Sequence, residues 1–82
     1  MEHEKEISKM KMPMPYYIVR VYDEDERIVE TIVDHDYEFI REVFSYRCMD
    51  IRDNYEKGNV DIVKVVKGKF GLKHKKVIER FK

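Results

Sequence analysis

The clearest periodic pattern in the chain lies in residues 37–55, which read YEFIREVFSYRCMDIRDNY. Apolar and aromatic side chains recur there at every third or fourth position: Tyr37, Ile40, Phe44, Cys48, Ile51 and Tyr55. This spacing places one continuous stripe along one side of an α-helix. Asp34 or Asp36 can cap the start of the helix, and Gly58 is the expected terminator. We therefore predict a helix over residues 35–57, about 34 Å long.

Two strands are expected before this helix. Residues 16–22 and 27–33 are rich in β-branched and aromatic side chains, which favours extended structure. The acidic residues 23–26 between them lack an Asn-Gly or Asp-Gly turn signal, which predicts a longer loop. Both strands carry apolar residues on both faces, so one face is expected to cover the helix and the other to cover either a second copy of the chain or a different partner.

Residues 60–67 form the third predicted strand, because β-branched side chains dominate them. Residues 72–81 fit either a strand or a short helix, and the preceding loop with Gly68 and Gly71 favours a strand in a hairpin. The predicted fold class is α+β: a β-β-α-β-β chain forming one antiparallel sheet, with one long helix packed on one face. Residues 1–15 are expected to be a flexible N-terminal arm, and residues 16–82 a single domain.

The composition is that of one small folded domain. The chain has 82 residues, of which 43% are hydrophobic and 41% charged, with 17 acidic and 17 basic residues. A single domain is all that this length allows. No apolar run is long enough for a membrane-spanning helix or a secretion signal, and the single Cys48 excludes an internal disulfide. We expect a cytoplasmic protein that does not bind membranes.

Charge is segregated along the chain. Residues 1–61 contain sixteen acidic and nine basic residues, whereas residues 62–82 contain one acidic and eight basic residues. The basic segment supplies the candidate residues for binding nucleic acid or an acidic partner: Lys64, Lys67, Lys69, Phe70, Lys73, His74, Lys75 and Lys76. Lysines neutralise phosphates, and an interleaved aromatic ring can stack on a base. A solvated hairpin that resists edge-to-edge aggregation explains the same residues. The acidic region 23–42 likewise fits either a functional surface or a solvated face.

No catalytic residue, cofactor site or metal site is predicted. Asp34, His35 and Asp36 are better explained by capping of the helix than by metal binding. Cys48 falls on the apolar stripe, which favours a buried small side chain over a nucleophile. The chain contains neither a phosphate-binding loop nor a dinucleotide-binding glycine motif.

One helix covers one face of a sheet, so apolar residues elsewhere are candidates for an interface. These are Tyr16, Ile18, Tyr22, Ile28, Ile32, Phe39, Tyr46 and Met49. The sequence thus suggests a non-enzymatic protein-interaction module that forms a homodimer and binds another protein. The alternative is a small nucleic-acid-binding protein that uses residues 64–76 without strong sequence specificity.

Overall fold

The computed structural model describes residues 13–54 and 57–81, so most of the predicted N-terminal arm and Tyr55 of the helical stripe lie outside the described residues. The chain forms two strands, then one helix, then two further strands. They are β1 (Tyr16–Tyr22), β2 (Ile28–Asp34), α1 (Tyr37–Asp53), β3 (Asn59–Lys67) and β4 (Lys73–Phe81).

The four strands form one antiparallel sheet with the order β2-β1-β3-β4. The predicted α+β fold is therefore confirmed, and Lys73–Phe81 is the strand that the glycine loop favoured. The chain leaves β2 at one edge, passes over β1 as α1, and returns as β3. Tyr16, where β1 begins, pairs with Val65 near the β3–β4 hairpin, whereas β4 ends at Phe81 opposite Val60, at the other end of the sheet.

Helix α1 packs on one face of the sheet. Its stripe residues Ile40, Phe44 and Ile51 are buried against Val19 of β1 and Ile62 of β3. Since alternate residues of a strand point to opposite faces, this helix-covered face also takes the partly buried core residues Tyr17, Val21 and Ile32. The sequence pattern groups Ile32 with Ile18 and Ile28 as interface candidates on the face away from the helix, and this is wrong for Ile32, which packs against the helix-side core. Its cross-strand neighbour is Val19, which faces the helix.

The helix is shorter at its C-terminal end than the periodicity predicts. Asp36 accepts hydrogen bonds from the backbone N–H groups of Glu38 and Phe39, as an N-cap does. At the other end the helix stops at Asp53, because Asn54 has φ −100° and ψ 6°, outside the helical range; the Asn54 side-chain N–H donates to the carbonyl of Asp50. The helix therefore ends before Gly58, the terminator that the sequence predicts.

Gly58 has a steric role instead. A Cβ added there would collide with the backbone carbonyl of Tyr22, the residue that ends β1. Gly58 therefore lets the chain pass close to the β1 backbone just before β3 begins. Gly71, in the β3–β4 loop, is the described glycine with a positive φ, at 75°.

Two arginines tie α1 to both edge strands. Arg47 donates to Glu30 of β2 through Nε at 2.7 Å and Nη2 at 2.9 Å. Arg41 Nη1 lies 3.0 Å from Glu79 Oε2 of β4. The Arg47 bonds lower the pKa of Glu30 below its usual value. Helix orientation is thus fixed by charge at the rim as well as by apolar packing at the centre.

Candidate functional site

The second face of the sheet carries no helix in the described structure; we call it the open face. By the strand register it consists of Tyr16, Ile18, Arg20, Tyr22, Ile28, Thr31, Val33, Asp61, Val63, Val65, Lys67, Lys73, Lys75, Val77 and Arg80. Its central apolar residues are already shielded, since Val63 and Val65 are 3% and 0% exposed. Larger exposed apolar side chains lie toward its two edges, at Ile28, Val33 and Val77.

A buried ion pair lies within this face. Asp61 has no exposed surface and accepts hydrogen bonds from Arg20 Nε at 2.9 Å and Nη2 at 2.8 Å. The Tyr22 hydroxyl donates a third bond at 3.1 Å, and Arg80 Nη2 lies 3.8 Å from the same carboxylate. The Asp61 bond raises the pKa of Arg20, and burial followed by the same carboxylate raises the pKa of Tyr22. The Asp61 carboxylate is therefore buried and bonded within the protein, so it is not exposed to a partner.

The remaining charges of the open face are cationic. The face has one acid, Asp61, and Arg20 already neutralises it. Its other charged residues are the cations Lys67, Lys73, Lys75 and Arg80. Lys73 Nζ lies 5.9 Å from the centroid of the Tyr16 ring, within range of a cation–π contact. The face thus combines a fixed positive charge with an aromatic ring on a central strand.

The structure divides the predicted basic residues between two surfaces. Lys67, Lys73 and Lys75 lie on the open face. Lys64, His74 and Lys76 point to the other side of the sheet by the same register. Lys69 and Phe70 lie in the loop between β3 and β4. The continuous basic run in the sequence is therefore not one continuous surface in space.

The β3–β4 loop, residues 68–72, projects an aromatic ring; we call it the hairpin tip. Lys69–Gly71 form a single 3₁₀ turn, in which the Leu72 N–H donates to the Lys69 carbonyl at 3.2 Å, and the Gly68 N–H donates to the Leu72 carbonyl at 2.6 Å across the base of the loop. Phe70 has φ 60° and ψ 25°, a left-handed conformation that costs a bulky residue about 1–2 kcal/mol. Its side chain is 96% exposed, and Leu72 is 69% exposed. The tip thus presents two apolar side chains to solvent from a strained backbone.

A second exposed surface follows the outer side of α1. Successive positions three or four residues apart share one side of a helix. Opposite the core stripe they are Phe39, Glu42, Tyr46, Met49 and Asp53, all exposed; we call them the acidic stripe. Of the predicted interface residues, Phe39, Tyr46 and Met49 therefore lie together, but on the face of the molecule opposite to Tyr16 and Ile18.

Sequence reasoning missed the Arg20–Asp61 pair. The available signal was a charged residue between apolar neighbours in each central strand, within Val19-Arg20-Val21 and Val60-Asp61-Ile62. Opposite charges inside two apolar strands indicate a cross-strand pair, but only the register of β1 with β3 shows that these two meet.

The predicted capping role of Asp36 is confirmed, and Asp34 accepts a bond from the backbone N–H of Asp36. Within residues 13–54 and 57–81, no three His, Cys, Asp or Glu side chains are grouped closely enough to hold a metal ion. Cys48 is half-buried against the core, and burial raises the pKa of its thiol. That shift lowers the fraction of reactive thiolate.

No helix in the described part of the chain has the length and apolar character needed to cross a bilayer. Comparison with protein-family models, with curated proteins and with solved structures finds no match to the chain.

Proposed function

We propose that this chain is a small non-enzymatic interaction module whose open face and hairpin tip bind an anionic surface of a partner macromolecule. The observation that carries the proposal is the charge of that face. Its one acid, Asp61, is buried and neutralised by Arg20, whereas Lys67, Lys73 and Lys75, at the hairpin end of the same face, are exposed. A surface with one uncompensated sign of charge attracts and orients a partner of the opposite sign.

The same charge argues against the face-to-face homodimer suggested by the sequence. A two-fold pairing of open faces would bring the lysines of two copies into one interface, and the residues described on that face include no unpaired acid to neutralise them. The central valines of the face gain little from such pairing, because they are already buried within one chain.

The test compares two double substitutions in the β3–β4 hairpin, one on each face of the sheet. Lys73→Glu/Lys75→Glu reverses charge on the open face, and Lys64→Glu/Lys76→Glu makes the same change on the other face. Binding of fluorescent poly-glutamate and of a mixed-sequence oligonucleotide is followed by anisotropy across a salt series. We expect the first variant to lose binding and the second to keep most of it. Equal loss in both variants, or unaltered binding by the first, would contradict the proposal.

We also propose self-association, through a different contact. The acidic stripe of α1 combines exposed aromatic rings with Glu42 and Asp53, and the hairpin tip combines Phe70 and Leu72 with Lys69. These patches are complementary in charge and both contain exposed apolar area. They occupy different parts of the chain, so the contact joins the tip of one copy to the helix of the next.

Mixing two variants tests this head-to-tail contact. Lys69→Glu/Phe70→Ser disables the tip, and Glu42→Lys/Asp53→Lys disables the stripe. Light scattering is expected to give a monomeric mass for each variant alone and a one-to-one complex for the mixture, because each keeps one intact patch. A mixture that stays monomeric while the unmodified chain associates would refute the head-to-tail arrangement.

A further inference from the structure

We propose that the anionic partner is a single-stranded nucleic acid, held by its phosphates on the open face and by an unpaired base on Phe70. The inference rests on the proposed function, since it names the chemical class of partner for the same surface. The partner must account for the exposed Phe70 ring as well as for the exposed lysines.

The backbone at Phe70 supplies that reason. A left-handed conformation is suited to glycine, and glycines stand on both sides of this turn at Gly68 and Gly71. The chain nevertheless places a phenylalanine there and leaves its ring 96% exposed. Neither local stability nor the hydrophobic core benefits from this choice. A strained, exposed aromatic residue is expected where the ring contacts a ligand.

The chemistry around the ring selects the ligand. Lys69 lies next to Phe70 in the chain, and Lys67 and Lys73 are paired at the base of the tip. Lysines neutralise phosphates as point charges and do not read base edges, whereas an aromatic ring stacks on any unpaired base. A duplex keeps its bases stacked inside, so the ring gains nothing from it. An acidic protein offers the charge but no flat partner for the ring.

The open face extends the site beyond the tip. Tyr16 lies on a central strand with Lys73 Nζ 5.9 Å from its ring. It therefore offers a second aromatic surface beside the base of the hairpin, with Lys75 level with it on the edge strand β4, beyond β3. Phosphates following β4 would meet lysines on the same side as Tyr16. The arrangement favours a strand of several nucleotides with little preference for sequence.

The experiment uses Phe70→Gly, which suits the left-handed backbone and removes only the ring. Its melting temperature is expected to equal or exceed that of the unmodified chain. Its affinity for a single-stranded oligothymidine is expected to fall by about tenfold or more, the usual effect of losing one stacked base. The salt dependence of binding is expected to stay unchanged, because no phosphate contact is lost.

Four probes separate the outcomes: oligothymidine, a duplex of equal length, poly-glutamate and vesicles of anionic lipid. Preference for oligothymidine that Phe70→Gly removes supports the inference. Equal binding of oligothymidine and poly-glutamate, with Phe70→Gly unaffected, would overturn it while leaving the proposed anionic site in place. Tighter binding of vesicles would assign the exposed Phe70 and Leu72 to a lipid surface and overturn it too. Absence of binding to every probe at low salt would overturn both proposals.

Discussion

Arg20 and Asp61 face each other across the two central strands and share two hydrogen bonds of 2.9 and 2.8 Å. Their exposures differ, because the Arg20 side chain is 28% exposed and Asp61 is fully buried. The guanidinium keeps contact with water, whereas the carboxylate depends on its protein partners. Removing one partner should therefore cost more than removing both.

We predict that Arg20→Ala lowers the free energy of unfolding by about 3 kcal/mol, because it leaves a buried carboxylate without its main partner. Arg80, 3.8 Å away, limits the loss by moving closer. The double variant Arg20→Val/Asp61→Val should recover most of the stability, since apolar side chains replace both charges. Urea titration measures all three proteins. A double variant less stable than Arg20→Ala would contradict this account.

The two phenylalanines of α1 should respond very differently to truncation. Phe44 is 8% exposed and lies in the core, so Phe44→Ala is expected to cost about 3–5 kcal/mol. Phe39 lies on the acidic stripe, so Phe39→Ala should change stability by no more than about 0.5 kcal/mol. Thermal melts of the two variants give the comparison. Similar losses in both would mean that the helix is rotated from the orientation described.

The Glu30–Arg47 pair should contribute to stability only above a certain pH. Arg47 lowers the pKa of Glu30 from its ordinary value of 4.5 in the folded state. As pH falls below 4.5, the unfolded chain takes up the proton first, and this favours unfolding. The advantage over Glu30→Gln should thus be complete at neutral pH and disappear as pH falls through the lowered value. Both side chains are partly exposed, so the effect is small and weakens in salt.

Urea titrations of the unmodified chain and Glu30→Gln at several pH values measure this difference. A stability difference that persists unchanged at pH values far below 4.5 would show that the carboxylate charge is not its source.

Glycine substitutions should distinguish a steric requirement from a conformational one. Gly58→Ala brings a Cβ into the Tyr22 carbonyl, so the β1 and β3 backbones must move apart. Gly71→Ala meets no atom within 4 Å and only strains a positive φ, at a cost of about 1 kcal/mol. We expect Gly58→Ala to be the more destabilising in a urea titration. The reverse order would indicate that the chain near residue 58 adjusts freely.

The fold could be predicted from the sequence because its elements have distinct hydrophobic periods. The 3.6-residue repeat of Ile40, Phe44 and Ile51 identifies the helix, and alternation identifies the strands. The last residue of the helix was not predictable in the same way. The sequence favours Gly58 as the terminator, but the helix ends earlier, at the C-cap Asn54, whose side chain donates a hydrogen bond to the Asp50 carbonyl. A hydrophobic pattern predicts that a helix or strand is present more reliably than it predicts the residue at which that element ends.

The candidate site was only partly predictable. The basic character of residues 64–76 is visible in the sequence, but the register decides which lysines share a surface. The assignment of Ile32 to the open face failed for a related reason. Strict alternation groups Ile28 with Ile32, but the register shift between Val21 and Tyr22 places Ile28 opposite Tyr22, so the two isoleucines lie on opposite faces. The left-handed backbone of Phe70 has no sequence signature beyond its neighbouring glycines.

The placement of the strand ends determines how this protein should be handled on a sensor chip or a resin. β1 begins beside the hairpin, where Tyr16 pairs with Val65, whereas β4 finishes at Phe81, level with Val21, which is five residues and about 17 Å further along β1. A linker attached after Phe81 leaves Phe70 and the lysines facing the bulk solution. The chain enters β1 at Tyr16, on the hairpin side of the sheet, so an acidic tag joined directly to β1 would compete for the surface under study. Immobilisation through the C-terminus therefore leaves the proposed binding surface accessible, so that the binding measured is that of the chain and not that of a tag.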